Sequence, residues 1–193
     1  MLRAGLLTAK RIREGLQSRW RNVYYRALGV QIDGYVWMRE IEIPRQPEAI
    51  SIARHCSLDR GVILLCSGEP QEKAKICLRK GTYVNRHTFI DASLSIVIGR
   101  NCAIGPGCYI TDHDHGFALG PSPLEQPLVS QATAIGNEAW LGAHVKVLKG
   151  VRIGDRAVIG AGSVVTRDVP DDAIAVGIPA KVVKMRSPTT DPE

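Results

Sequence analysis

From Ile135 onward an aliphatic residue recurs at every sixth position: Ile135, Leu141, Val147, Ile153, Ile159 and Val165. Glycine follows four of them, as Gly136, Gly142, Gly154 and Gly160. Four positions after each aliphatic stands a small or β-branched residue: Ala139, Val145, Val151, Ala157, Ser163 and Val169. The same beat runs upstream through Ile98, Ile104 and Ile110, through Leu78, Val84, Ile90 and Ile96 with an offset of two, and through Ile52, Leu58 and Leu64. A helical stripe needs intervals of three and four, and a plain strand alternates at two. A period of six fits a short strand plus a turn, with one large and one small inward side chain. Three such units close a triangular coil of about 18 residues, and stacked coils bury a continuous aliphatic column, as in parallel β-helices. Cys56, Cys102 and Cys108 fall in the small slots, which makes them compact core fillers rather than ligands or nucleophiles.

The beat fails in two places. Between Ile110 and Ile135 the register is lost, and Gly116, Gly120, Pro121, Pro123 and Pro127 mark an extruded loop at about 111–133. It opens with His113 and His115 flanking Asp114. Ahead of the repeats, residues 3–29 carry Leu6, Leu7, Ile12, Leu16, Trp20, Val23, Tyr24 and Leu28 at approximately helical spacing, with Arg and Lys on the other face. Two readings of this arm stay open: a cap on the open first coil, and peripheral contact with an anionic membrane surface. The organisation expected is a basic amphipathic helix over 1–30, a β-helix over 31–185 and a tail over 186–193.

Composition narrows the classes. At 193 residues, with 45% hydrophobic and 23% charged, the chain is one ordinary globular domain with a short appendage. The net charge of +6 suggests a nucleic-acid partner until it is mapped. Residues 1–29 hold seven Lys and Arg against the single acid Glu14, and the remainder holds 18 of each sign. The body is neutral, so no nucleic-acid partner is expected. No apolar run approaches the ~18 residues of a membrane span, and Lys10 and Arg11 interrupt the apolar start that a signal peptide would need. Five cysteines without a CxxC pair point to reduced thiols and a cytoplasmic protein, with the inner membrane face as the place for any peripheral contact.

The segments "IGNEAWLGAHVKVLKGVRIGDRAVIGAGSVVTRDVP" and "AVGIPAKVV" resemble the hexapeptide-repeat acyltransferases, and within them the galactoside, maltose and polysaccharide O-acetyltransferase branch. The resemblance covers roughly residues 50–185. It implies a left-handed parallel β-helix, a homotrimer with active sites at subunit interfaces, acetyl-CoA as cosubstrate, no tightly bound cofactor, and a carbohydrate hydroxyl as acceptor.

Acyl transfer from a thioester to a hydroxyl needs a base for the hydroxyl proton, and a neutral imidazole suits that task. The resemblance places this base at His113 in "DHDHG", with His115 the second candidate and otherwise an acceptor-binding residue. It places an oxyanion-stabilising backbone N–H at Ala143 and Trp140 at the border of the donor and acceptor tunnel. Ala161, Thr166 and Arg167 match contacts to the pantetheine arm and adenosine phosphates, and Lys181 and Lys184 match basic positions near the nucleotide end. Asn85 and Asp91 match acceptor-side positions that face the neighbouring subunit's loop. His144 reads as a surface or subunit-contact residue. Two alternatives stay open beside it: a non-catalytic β-helix scaffold, and a zinc carbonic anhydrase-like β-helix. The five histidines, at 55, 87, 113, 115 and 144, lack the convergent spacing of a three-His zinc site, so no metal is expected.

Overall fold

The computed structural model describes residues 2–187, with side chains described from residue 6. Residues 188–193 of the expected tail, and the side chain of Arg3, lie outside the described residues. Helix α1 (Leu2–Ala27) is followed by strands of two to four residues that visit three parallel sheets in rotation. Sheet I contains Ile50–Ile52, Ile76–Leu78, Ile96–Ile98, Thr133–Ile135 and Arg152–Ile153 behind the edge strand Gln31–Ile32. Sheet II runs through Trp37–Met38, Ser57–Leu58, Tyr83–Val84, Ala103–Ile104, Trp140–Leu141 and Val158–Ile159. It ends in an antiparallel hairpin, Ala173–Gly177 with Ala180–Met185. Sheet III stacks Ile63–Cys66, Phe89–Ala92, Tyr109–Thr111, Lys146–Val147 and Val164–Val165.

The repeated aliphatics form the expected column. Ile52, Leu58 and Leu64 are fully buried, and Ile135, Leu141 and Val147 are buried several coils on. Each stacks on its equivalents through the sheet register, as Ile98 does on Ile135 and Ile135 on Ile153. Cys56, Cys102 and Cys108 are buried beside them as free thiols. Burial raises each of these thiols above its ordinary value, and it pushes Cys66 up to about 12. The reactive thiolate is therefore suppressed, as suits a packing role.

From Ile52 onward, coil length varies at one corner only. The steps from sheet I to II and from II to III hold at six residues, as in Leu78, Val84 and Ile90. Partners in sheet I, however, lie 18 residues apart at Ile135–Ile153 and 20 at Leu78–Ile98. They lie 26 apart at Ile52–Leu78 and 37 at Ile98–Ile135. All the extra chain sits between sheets III and I. The two-residue offset of the upstream beat is one such lengthening, at Ser93–Ser95.

The glycine after each aliphatic is explained by coil-to-coil distance. A Cβ on Gly99 would sit 2.5 Å from the Gly136 carbonyl carbon and 2.7 Å from the Asn137 nitrogen, backbone that cannot swing aside. Gly99→Ala should therefore cost about 1–3 kcal/mol, the usual range for overpacking. Urea unfolding with an unchanged m-value checks it; a cost near zero would show that the coils can spread.

Other corner residues adopt positive φ, and this accounts for three histidines. His55, His87 and His144 have φ of 64°, 58° and 59°, a region in which His is enriched among non-glycine residues. At the corner between sheets II and III the ladder alternates Gly61, His87, Gly107, His144 and Gly162. His87 lies against Gly61 and His144 against Gly107, 2.5 Å from where a Cβ would stand in each case. His144 is thus a surface residue, exposed at this corner beside Gly107.

Candidate active site

The 111–133 excursion is built on an antiparallel hairpin, His113–His115 paired with Leu128–Ser130. It leaves sheet III at Thr111, and the hairpin brings the chain back to Thr133 in sheet I. Lys149 fastens it to the body, pairing with Asp114 at 3.0 Å and donating to the Val129 carbonyl at 3.3 Å. Asp114, between the two histidines in sequence, therefore faces away from them.

The partner of His113 is the residue before it. His113 Nδ1 lies 2.9 Å from Asp112 Oδ1. The Asp112 side chain is wholly buried, and its oxygens accept the N–H groups of Ser93 at 2.8 Å, Leu94 at 2.8 Å and Ser95 at 2.6 Å. Burial is the largest single influence on this carboxyl and works to raise it. The His113 hydrogen bond and the three backbone donors together outweigh it, so Asp112 titrates below the usual carboxylate range. An ionised Asp112 only accepts, so Nδ1 carries a proton and neutral His113 presents an unprotonated Nε2. The hydrogen bond to Asp112 raises His113 above an ordinary histidine; burial opposes it, and the charges of Asp91, Asp112 and Asp114 reinforce it.

Asp91 stands on the other side of the ring, its Oδ2 at 3.9 Å from Nε2. The strand register puts it there, since Asp91 pairs with Thr111 across sheet III. Burial pushes its carboxyl up, against the pull of His113. Its Oδ1 is, among the described residues, the one buried side-chain oxygen or nitrogen without a hydrogen-bond partner. Native buried polar atoms are rarely left so. His115 is exposed two residues along the hairpin.

A second constellation lies at the corner between sheets II and III. A groove of about 440 Å³ is lined by Tyr83, Asn85, Ala103, Trp140, Ala143 and Ala161, with Gly105, Gly142 and Gly160 at its floor. Its shape follows from the sheet II register. Tyr83, Ala103 and Trp140 are successive partners on the outer face, so the small Ala103 leaves a notch between two rings. The same column continues through Val158 and Ile174 to Lys184. Lys181, paired with Val176, and Lys184 are exposed on the final strand of this sheet.

The candidate residues thus fall into two groups. Asn85, Trp140, Ala143 and Ala161 share the groove, with Lys181 and Lys184 on the same sheet. Asp91, His113 and His115 belong to the sheet III to sheet I corner, where Thr166 and Arg167 also lie, exposed just past Val164–Val165. Thr166 and Arg167 do not line the groove. Asn85 and Asp91, matched together to the acceptor side, are separated, Asn85 in the groove and Asp91 against His113. Among the described residues no group of three or more His, Cys, Asp or Glu is placed to hold a metal ion.

Comparison with known proteins agrees with this architecture. Residues 132–167 match the family model described as bacterial transferase hexapeptide (six repeats), and residues 91–120 match the hexapeptide repeat of succinyl-transferase. Both matched stretches are thus hexapeptide repeats of the kind found in bacterial acyltransferases. The chain is 38% identical over 109 residues to an Escherichia coli (strain K12) protein provisionally named lipopolysaccharide biosynthesis O-acetyl transferase WbbJ, covering 52% of this chain and 56% of that one. It is 34% identical over 113 residues to the galactoside O-acetyltransferase of the same organism, covering 58% of this chain and 54% of that one. The chain therefore spans a little over half the length of these curated relatives. A hexapeptide-repeat acetyltransferase from Vibrio cholerae, solved with acetyl-CoA, superposes with a TM-score of 0.60 at 23% identity, covering 86% of this chain and 76% of that one. These likenesses fit the coil as a left-handed parallel β-helix.

Residue-by-residue matching to the family missed the parts that belong to this chain's own coils. Asp112 was visible in "TDHDH", but its anchor is the corner at Ser93–Ser95, 17 to 19 residues earlier and one coil away. Tyr83 and Ala103 carried no signal until the sheet register set them beside Trp140.

Proposed function

We propose that this chain is an acetyl-CoA-dependent O-acetyltransferase acting on a hydroxyl of a sugar or surface-polysaccharide precursor. The observation that carries the reading is the Asp112–His113 pair, with a free Nε2 facing Asp91 and the unpartnered Asp91 Oδ1. His113 Nε2 takes the acceptor hydroxyl proton as that oxygen attacks the thioester carbonyl carbon. Asp91 receives a second acceptor hydroxyl as a donor to Oδ1. The Ala143 N–H stabilises the tetrahedral oxyanion, and its collapse breaks the C–S bond. The CoA thiolate leaves with the proton held by His113, restoring the neutral imidazole. The groove between Tyr83 and Trp140 takes the pantetheine arm, and Lys181 and Lys184 serve the phosphates as point charges.

We place each complete site between two copies of the chain in a homotrimer. The base and the groove lie at opposite margins of sheet III, and the hairpin loop carries Phe117, Leu119 and Leu124 exposed and unpacked. A neighbouring copy supplies both the missing half-site and a cover for that loop. Thr166 and Arg167, on the His113 side, then meet the donor bound by the neighbour. Five free cysteines fit a cytoplasmic location.

Acetyl-CoA should bind the purified protein in calorimetry, and Ala161→Trp, which fills the groove, should weaken it at least ~10-fold, the equivalent of about 1.4 kcal/mol. Ala161→Trp chains co-assembled with His113→Ala chains should regain turnover on sugar acceptors that neither variant has alone. No heat with acetyl-CoA would sink the donor assignment, and no recovery would sink the shared site.

A further inference from the structure

Helix α1 meets the solenoid through its small and polar face. Among the described side chains of α1, Gly15, Ser18, Asn22 and Tyr25 are the buried positions, spaced three, four and three apart along one side. Their side chains serve the open edge of the first coil. Ser18 Oγ accepts the Met38 N–H at 2.9 Å, and Asn22 Oδ1 accepts the Val36 N–H at 3.1 Å. Asn22 Nδ2 donates to the Val36 carbonyl at 2.7 Å, and the Tyr25 hydroxyl donates to the Ile41 carbonyl at 2.8 Å. The helix therefore caps the edge by hydrogen bonding, as an uncovered β edge requires.

Its apolar stripe consequently points outward. Ile12, Leu16, Trp20 and Val23 are 59%, 62%, 64% and 65% exposed, and Tyr24 stacks on Trp20 with ring centroids 5.1 Å apart. Their spacing of four, four and three makes one continuous ridge. At 100° per residue, Lys10 and Arg13 flank that ridge on one side; on the other side Arg19 lies over the Tyr35 ring and Arg26 donates to the Ile32 and Gly34 carbonyls. Glu14, the single acid of residues 1–29, lies toward the body and pairs with Arg39 at 3.4 Å. The outer face is thus apolar at its centre, with a free cationic shoulder at Lys10 and Arg13. No described helix is long and apolar enough to cross a membrane.

We propose that α1 seats this protein on an anionic lipid bilayer, lying in the plane of the interface with Ile12, Leu16, Trp20 and Val23 among the acyl chains and the flanking Lys and Arg on lipid phosphates. Charge complementarity selects this occupant. The chain's whole net charge of +6 is carried by residues 1–29, and basic residues near an anionic membrane contribute attraction that adds residue by residue. A second copy of the helix would bring two strongly basic segments together. The stacked Trp20–Tyr24 pair suits the headgroup boundary, where such amphipathic rings concentrate. The hydrogen-bonded underside holds the stripe outward before any lipid is met, so docking needs no rearrangement of the coil.

The test is co-sedimentation of the full chain with phosphatidylcholine vesicles, with and without about one third phosphatidylglycerol. Binding should require the anionic lipid and fall at least ~10-fold between about 0.05 and 0.5 M salt, as screening shortens the reach of the charges. Leu16→Gln with Trp20→Gln should reduce binding at least ~10-fold while the melting temperature stays at the wild-type value, since both side chains are solvent-facing. Equal binding to neutral vesicles, or undiminished binding by the double variant, would overturn the proposal. So would a wild-type protein that ignores vesicles but forms a larger oligomer that the double variant loses, which would make a second copy the occupant.

Discussion

His113→Ala should lower turnover by about 10²–10⁴-fold, the usual contribution of a positioned general base, with acetyl-CoA affinity and melting temperature close to wild type. The fold should survive because the substitution removes only one of the four partners of Asp112. The N–H groups of Ser93, Leu94 and Ser95 still satisfy the buried carboxylate. The groove proposed for the donor lies at a different corner and loses nothing. Circular dichroism, calorimetry with acetyl-CoA and release of the CoA thiol in the presence of a working acceptor separate these quantities. Wild-type turnover in this variant would remove His113 from the mechanism and leave the exposed His115 to be tested next.

Asp112→Asn should be damaging in two distinguishable ways. The carboxylate takes four donors, three backbone N–H groups and His113 Nδ1. An amide offers one oxygen, and its NH₂ would face two of those donors. Two unsatisfied donors cost about 2–6 kcal/mol at the usual 1–3 each, measurable by urea unfolding. The kinetic effect has its own signature. The proposed base acts as neutral His113, whose pKa is raised, so the rise of kcat/KM with pH in the wild type should centre above the ordinary value of about 6.5. Removing the charged partner should move that rise to lower pH while lowering the plateau. A variant that lost stability but kept the wild-type pH profile would make Asp112 structural only.

The two groups also act oppositely on stability. Raised His113 contributes stability that is complete below its unfolded pKa and lost as pH rises through its folded one. Depressed Asp112 contributes stability that is complete above its unfolded pKa and lost as pH falls through its folded one. Their hydrogen-bonded pair is accordingly strongest in the mildly acidic window between those limits. The neutral imidazole needed for catalysis lies just above it.

Much of the architecture was legible because a solenoid makes the same local demand in every coil. Aliphatics at intervals of six had to face inward, and the small slots had to hold residues such as Cys56 and Ala139, so the fold followed from the repeat. The extruded loop was legible for the converse reason, since a lost register and a run of prolines have no place in a coil. The arm shows where periodicity falls short. Its apolar stripe left open whether the helix caps the first coil or meets a membrane, and the structure buries Gly15, Ser18, Asn22 and Tyr25 instead of that stripe. The end of a β-helix exposes backbone N–H and C=O groups, and hydrogen-bonding side chains satisfy these where leucines would leave them bare.

The sequence by itself determined that coils form, where they are interrupted, that His113 opens the interruption, and that the net charge resides in the first 29 residues. These are one-dimensional properties: period, break and count. Tertiary structure alone decided which side chains meet. It set Asp112 on the Ser93–Ser95 corner of the preceding coil, Asp91 against His113 across sheet III, and Tyr83 and Trp140 on either side of Ala103. It also turned the apolar ridge of α1 outward. The physical reason is that variable corner loops place stacked partners 16 to 37 residues apart. Neighbours across coils therefore follow from register, which the six-residue beat does not encode.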